Sequence, residues 1–187
     1  MLGKHPRFEK EKAPAILRRF CPDYHVRTIS DIDPVDLVAG GIRGVLLDLD
    51  NTLLPWKGSE LPEETVAWIE ACRAAGLMMC LVSNTRNVPR LCTIGERLLV
   101  EVVMPGRMKP AREGFQRALA HLNLAPSEVV MVGDQMFTDI WGGNRMGLCT
   151  IWVDRIHHRE FFGTKISRFF ERLIMGILRR SERKQAR

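Results

Sequence analysis

Two carboxylates, Asp48 and Asp50, stand two residues apart at the end of an apolar run in GVLLDLDNTLLPW (Gly44–Trp56). On an extended strand residues i and i+2 point to the same face. The two charges therefore repel each other unless a cation lies between them. Two further apolar runs close on polar residues: LMMCLVSN ends in Ser83 and Asn84, and EVVMVGDQ delivers Asp134 with Asp139 five residues on. Lys109 falls between them, in GRMKP. Gathered in one crevice, Asp48, Asp50, Asp134 and Asp139 set four carboxylates against one ammonium. Such a pocket demands a cation, and all-oxygen ligation in a wet site suits Mg²⁺. Sites of this kind hold phosphate through the metal. Lys109 and the hydroxyl and amide of Ser83 and Asn84 are placed to neutralise the other phosphate oxygens.

The elements that must position these residues alternate. DIDPVDLVAGG (Asp31–Gly41) reads as a short helix with Asp33 as N-cap and Pro34 in its first turn. A strand follows at Gly44–Leu49, an amphipathic helix at Leu61–Gly76 and a buried strand at Leu77–Asn84. A helix near Val88–Leu98 and a shorter strand at Val100–Pro105 come next. Pro110 opens a helix reaching Leu124, and Glu128–Gln135 is a strand. Thr138–Gly147 is a brief helix or helical turn, and Leu148–Asp154 is the last strand. Apolar strands alternating with helices predict an α/β fold, three layers (α/β/α) around a mainly parallel sheet. Ligands bind such sheets outside the C-terminal ends of the strands, where all the polar clusters lie.

Composition bounds the partners. The net charge is +6 over 187 residues and the pI is near 9.4, which suits an anionic partner: nucleic acid, acidic membrane or phosphorylated substrate. Five scattered cysteines, with no CxxC pair, read as small apolar residues in a reducing, cytoplasmic setting. The first 20 residues show no signal peptide and no apolar run is long enough to span a bilayer.

DLDNT, SNT, GRMKP and GDQMFTD, in that order, resemble the four motifs of the haloacid dehalogenase superfamily of phosphatases. The resemblance implies that Asp48 is the nucleophile and forms an aspartyl-phosphate. It implies that Asp50 protonates the leaving oxygen and then activates water. Thr52 is expected to fix the loop, on the phosphate-binding side. Ser83 is expected to hold the transferring phosphoryl group with Asn84 beside it. Lys109 is expected to orient the nucleophile and bind phosphate. Mg²⁺ is expected on Asp48, the backbone carbonyl of Asp50 and Asp134, with Asp139 as an outer or alternative ligand. For Asp139 a second reading is a cap or charge at the next helix N-terminus. Only 32 residues separate Asp50 from Ser83 and 25 separate Ser83 from Lys109. Neither gap has room for a cap domain, so the crevice is expected to admit a bulky substrate.

DIDPVDLVAGGIRGVLLDLDNTL and GDQMFTDIWGGNRMG are further similar to the YqeG family of type IIIA phosphatases, related to the phosphatidylglycerophosphatases of mitochondria and plastids. That resemblance implies hydrolysis of phosphatidylglycerophosphate to phosphatidylglycerol. One departure is Thr85, where the family often carries a second Asn. GGNRMG (Gly142–Gly147) is family-like and also reads as a tight helix-to-strand turn.

The expected organisation is an N-terminal arm (1–30), a phosphatase core (31–160) and a basic amphipathic C-terminal helix (161–187). In the tail, Ile166, Phe169, Phe170, Leu173, Ile174 and Ile177 line one helical face, with Lys165, Arg168, Arg172 and Arg179 on or near the other. Through 164–180 it could lie on an anionic membrane at the cytoplasmic face, or pack on the domain. Trp56, Lys57 and Trp141 are candidates to flank the entrance, and His157–His158 reads as a surface pair. Two alternatives stand beside the lipid phosphatase. One is a phosphatase of nucleotide or nucleic-acid ends, and the other is a non-enzymatic phosphate-binding protein.

Overall fold

A computed structural model describes residues 3, 5, 7–104, 106–156 and 174–177. Its strands are β1 (Tyr24–Val26), β2 (Gly44–Leu47), β3 (Met78–Leu81), β4 (Glu101–Val102), β5 (Val129–Gly133) and β6 (Cys149–Val153). Its α-helices are α1 (Pro34–Ala39), α2 (Glu63–Ala74), α3 (Val88–Leu98), α4 (Arg112–Leu122) and α5 (Trp141–Met146). The sheet is parallel throughout, in the order β1-β6-β5-β2-β3-β4.

Every residue of β2 and β5 is buried, as expected of strands covered on both faces. Alternation divides them between two cores. Val45, Leu47, Val130 and Val132 pack with Leu37 of α1, Trp68 and Ile69 of α2, and Leu91 and Ile94 of α3. Leu46 and Met131 point the other way, to Phe115, Ala118 and Leu122 of α4, with Met146 of α5 at the margin. The three-layer α/β/α expectation is met.

Topology and register set the site. From β2 the chain runs to β3 on one side; from β5 it runs to β6 on the other. The β2/β5 boundary is thus a switch point, where the connections diverge and leave a crevice. Leu47 is level with both Leu81 and Val132, so all three strands end at one height. Asp48 extends the ladder by one bond, its N–H donating to the Val132 carbonyl at 3.0 Å.

Three expectations change. The arm expected over 1–30 is not separate from the core. Tyr24–Val26 pairs with β6 as the sheet's edge strand, and Cys21, Tyr24 and Val26 are buried. A three-residue strand after a charged, Pro-containing stretch leaves almost no periodicity to read. Pro110 lies outside the following helix, which begins at Arg112. The Thr138–Gly147 segment divides into a π-helical turn, Met136–Ile140, and α5.

GGNRMG proves to be a close-packing device. A Cβ on Gly142 would lie 2.6 Å from the Phe115 ring, and one on Gly143 would lie 2.7 Å from Thr150. Most of the tail, and His157–His158, lie outside the described residues. Within 174–177, Ile174 and Met175 are buried in a cluster with Ala13, Cys21 and Met136, while Ile177 is exposed. Ile174, placed by its sequence on the apolar stripe, therefore packs on the protein. Met175, outside that stripe, joins it. No helix among the described residues is long and apolar enough to cross a membrane.

Candidate active site

The end of β2 supplies Asp48, and the loop before α4 supplies Lys109. The end of β5 supplies Asp134, and the π-helical turn supplies Asp139. All four are buried. The Lys109 ammonium bridges two carboxylates, 2.7 Å from Asp48 Oδ1 and 2.8 Å from Asp139 Oδ1. One carboxylate oxygen from each of Asp48, Asp134 and Asp139 lies within 4.8 Å of the others. The backbone holds this cluster firmly. The Trp152 indole N–H donates to the Asp134 carbonyl at 2.8 Å, and the Gln135 N–H donates to Asp139 Oδ2 at 3.0 Å. Gly133 leaves room for Asp139, because any Cβ there would overlap its carboxylate.

A crevice of about 950 Å³ opens above. Asp48, Asp50, Ser83, Asn84, Trp56, Lys57, Arg86, Arg90 and Gln135 are among its walls. The Asp50 side chain is turned away from the three-carboxylate cluster. Arg90 of α3 grips both its oxygens, at 2.9 and 3.3 Å, and the Lys57 N–H donates to it at 2.9 Å. Lys57 stacks its ammonium 4.6 Å over the Trp56 ring.

The family model for mitochondrial PGP phosphatase matches residues 15–156. The chain belongs to that family. It is 34% identical over 161 residues to the probable phosphatase YqeG of Bacillus subtilis, across 86% of this chain and 92% of that one. It is 30% identical over 176 residues to phosphatidylglycerophosphate phosphatase 1, chloroplastic/mitochondrial, of Arabidopsis thaliana. That match covers 87% of this chain but 48% of the plant protein, so the chain spans about half the plant relative's length. Among solved structures, an uncharacterized protein from Listeria monocytogenes serotype 4b shares the fold. The TM-score is 0.52 at 20% identity, over 64% of this chain and 85% of that one. The protein is a phosphatase of the haloacid dehalogenase type, a hydrolase of phosphoric monoesters.

Within this PGP phosphatase family member, the predicted residues separate into three groups. Asp48, Lys109, Asp134 and Asp139 meet in one cluster. Asp139 is a buried partner of Lys109 and also accepts the Gln135 N–H at the start of the π-helical turn. Asp50 and Ser83 line the crevice but stand outside that cluster; the Ser83 hydroxyl accepts the Thr85 N–H at 3.2 Å. Asn84 and Thr52 form the third group. The Asn84 amide is occupied by the Lys109 backbone, donating to its carbonyl at 3.0 Å and accepting its N–H at 2.6 Å. Asn84 thus fixes the lysine's loop while lining the crevice. Thr52 is buried in the turn that follows Asp50, where the Asn51 N–H donates to the Leu54 carbonyl at 2.8 Å, and it is not among the crevice walls. Of the entrance candidates, Trp56 and Lys57 are in place. Trp141 instead packs on Phe20 of the N-terminal segment, ring centroids 5.5 Å apart.

Arg90, paired with Asp50 in the crevice wall, is a residue that sequence reasoning missed. The signal was a cation in the first turn of a helix, where the dipole disfavours it. That position calls for a carboxylate nearby.

The electrostatics fit a cation. Burial pushes the Asp48 carboxyl up to about 7, against the pull of Lys109 and with Asp139 adding to the rise. Burial alone would lower the Lys109 ammonium, but Asp139 and Asp48 outweigh it and raise it. Three carboxylates against one ammonium leave an excess of negative charge. Asp48 Oδ2 is buried with no hydrogen-bond partner among the described residues. An all-oxygen donor set with such an orphan suits a hard divalent cation.

Proposed function

We propose that this phosphatase is Mg²⁺-dependent and removes the terminal phosphate of phosphatidylglycerophosphate, leaving phosphatidylglycerol. Support for the substrate comes from the named activity of the plant relative and from the open crevice. The loop after β2 and α2 fill the gap between Asp50 and Ser83, and α3 and β4 fill the gap to Lys109. No cap domain stands in either gap, and the lip cations Lys57 and Arg86 suit an anionic headgroup.

The observation that carries the chemistry is Asp48, held through Oδ1 by Lys109 while Oδ2 stays unserved beside the crevice. Asp48 attacks phosphorus, the bond to the leaving alkoxide breaks, and Asp50 gives that alkoxide a proton. Asp50 then takes a proton from water as the water attacks the aspartyl-phosphate, releasing inorganic phosphate and restoring Asp48. Lys109 keeps Asp48 oriented through both halves, and the Ser83 hydroxyl is available to a phosphoryl oxygen. Asp48, Asp134, Asp139 and the Asp50 carbonyl would hold Mg²⁺, which when bound offsets the charge on the phosphoryl oxygens.

A lipid substrate brings the crevice to a membrane face. Contact through 164–180 belongs to this proposal, carried by side chains other than Ile174 and Met175. Replacing Lys165, Arg168, Arg172 and Arg179 by Gln should release the protein from anionic liposomes; undiminished binding would remove the tail from the proposal.

The test of substrate is phosphate release with Mg²⁺ from phosphatidylglycerophosphate in mixed micelles, nucleotides, 5′-phosphorylated oligonucleotides and sugar phosphates. The lipid should give the highest kcat/KM. A higher value for a nucleotide or nucleic-acid end would overturn the lipid reading.

A further inference from the structure

We infer that Arg90 is the positioning residue for the proton-transfer carboxylate, Asp50. Four observations converge on it. The pair is bidentate, 2.9 and 3.3 Å, with the two side chains only 11% and 17% exposed. Bidentate Arg–carboxylate pairing fixes orientation as well as distance. Arg90 Nε also donates to the Gly58 carbonyl at 2.7 Å, so one guanidinium ties Asp50 to the lip carrying Trp56 and Lys57. Lys57 has φ +58°, a left-handed conformation costly for a lysine. Its N–H is the third donor on Asp50. Finally, Arg90 sits in the first turn of α3, its own N–H capped by Asn87 Oδ1 at 3.1 Å. A cation there opposes the helix dipole, and Asp50 is the counter-charge that makes it tenable.

This arrangement explains how two identical side chains, two residues apart, take different work. Lys109 claims Asp48 and Arg90 claims Asp50. Without Arg90, Asp50 would be free to swing toward Lys109 as a fourth carboxylate in an already crowded cluster. With it, Asp50 stays on the crevice wall, where the leaving oxygen and later the water must pass. Arg90 carries no proton in either half-reaction. The inference rests on the aspartyl-phosphate reading above and not on the choice of lipid.

The test uses p-nitrophenyl phosphate with Mg²⁺ in rapid-mixing kinetics. p-Nitrophenolate departs without a proton, so the first half-reaction does not need Asp50, whereas hydrolysis of the phosphoenzyme does. Arg90→Gln should release a stoichiometric burst of nitrophenolate at close to the wild-type rate. Steady turnover should then fall by about 10- to 100-fold, with phosphorylated enzyme accumulating by intact mass. Arg90→Lys should recover part of that turnover. In an Asp50→Asn background, Arg90→Gln should cost nothing further, because both act through one carboxylate. Burst and turnover falling together, or a raised KM with kcat unchanged, would mean that Arg90 serves the fold or grips phosphate directly. Either result overturns the inference, as does wild-type behaviour of Arg90→Gln. If Arg90→Gln fails to fold by circular dichroism, the burst-against-turnover comparison on Arg90→Lys decides. Failure of the wild type to form phosphoenzyme would sink the aspartyl-phosphate reading instead, and is read separately by mass.

Discussion

Two buried charge clusters sit at opposite ends of the sheet. At the N-terminal end of β1 and β6, Asp23 is buried between Arg7, Lys10 and Thr150. Its Oδ1 accepts from Arg7 at 3.1 Å; its Oδ2 accepts from Lys10 at 2.6 Å and from the Thr150 N–H and hydroxyl at 2.9 and 3.1 Å. Asn144 of α5 completes the set, accepting from Lys10 at 2.7 Å and donating to the carbonyls of Arg19 and Cys21. A cavity of about 570 Å³ beside it is also lined by Arg18 and Arg145. Those guanidiniums are already bonded to the carbonyls of Ala13, Glu11 and Pro110. One carboxylate meets two cations there, and both its oxygens are served. At the C-terminal end, three carboxylates share one ammonium and an oxygen of Asp48 is left over. Burial does not distinguish the two clusters. Charge balance and hydrogen-bond satisfaction do, because an unserved buried polar atom costs stability. The satisfied cluster fastens the N-terminal segment to the sheet; the unsatisfied one is the centre proposed to react.

Breaking each cluster should therefore have opposite consequences. Asp48→Asn should lower phosphate release by about a thousandfold or more. It should also raise the Tm of the metal-free protein at pH 8, since burial holds that carboxyl near 7 and its ionised form burdens the fold. Activity above a few per cent of wild type would remove Asp48 as nucleophile.

Chelation should end turnover. Added Mg²⁺ at about 100 times its Kd should stabilise the wild type by about 2.7 kcal/mol. Calorimetry should find the same Mg²⁺ response in Asp23→Asn and none in Asp134→Asn. An equal response in all three would place the cation elsewhere.

Asp23→Asn should cost about 2 kcal/mol in denaturant unfolding, because it removes the buried charge that Arg7 and Lys10 share and weakens the β1–β6 anchor. Its kcat/KM should stay within about threefold of wild type. A large catalytic loss at unchanged stability would contradict the division between the clusters.

The smallest effect belongs to Arg7→Ala. Arg7 is 56% exposed on its side of the pair, so solvent screening should hold its cost below about 1 kcal/mol, with activity unmoved.

The ordered motifs were legible because they are local. A strand that ends in Asp48, another that ends in Ser83 and a third that ends in Asp134 announce themselves by an apolar run meeting polar residues. The parallel sheet follows from that pattern. β1 was missed because three residues carry too little pattern, and its place in the sheet depends on a partner more than 120 residues away. The strand-end position of Asn84 marks it as a phosphate-binding candidate but does not show what holds its amide. Its partner, the Lys109 backbone, is set by the packing of a loop 25 residues distant.

By itself the sequence determined the fold class, the strand ends that carry the carboxylates and the excess of negative charge that calls for a cation. These depend on residue type, strand periodicity and spacing along the chain. Only the tertiary structure decided which cation serves which carboxylate. Lys109 on Asp48 and Arg90 on Asp50 are matters of register and helix docking, through which segments far apart in sequence present their charges at one height above the sheet. It also decided that the Asp23 cluster is balanced and the Asp48 cluster is not. Satisfaction of a buried charge depends on every group around it in space, and spacing along a chain does not record that.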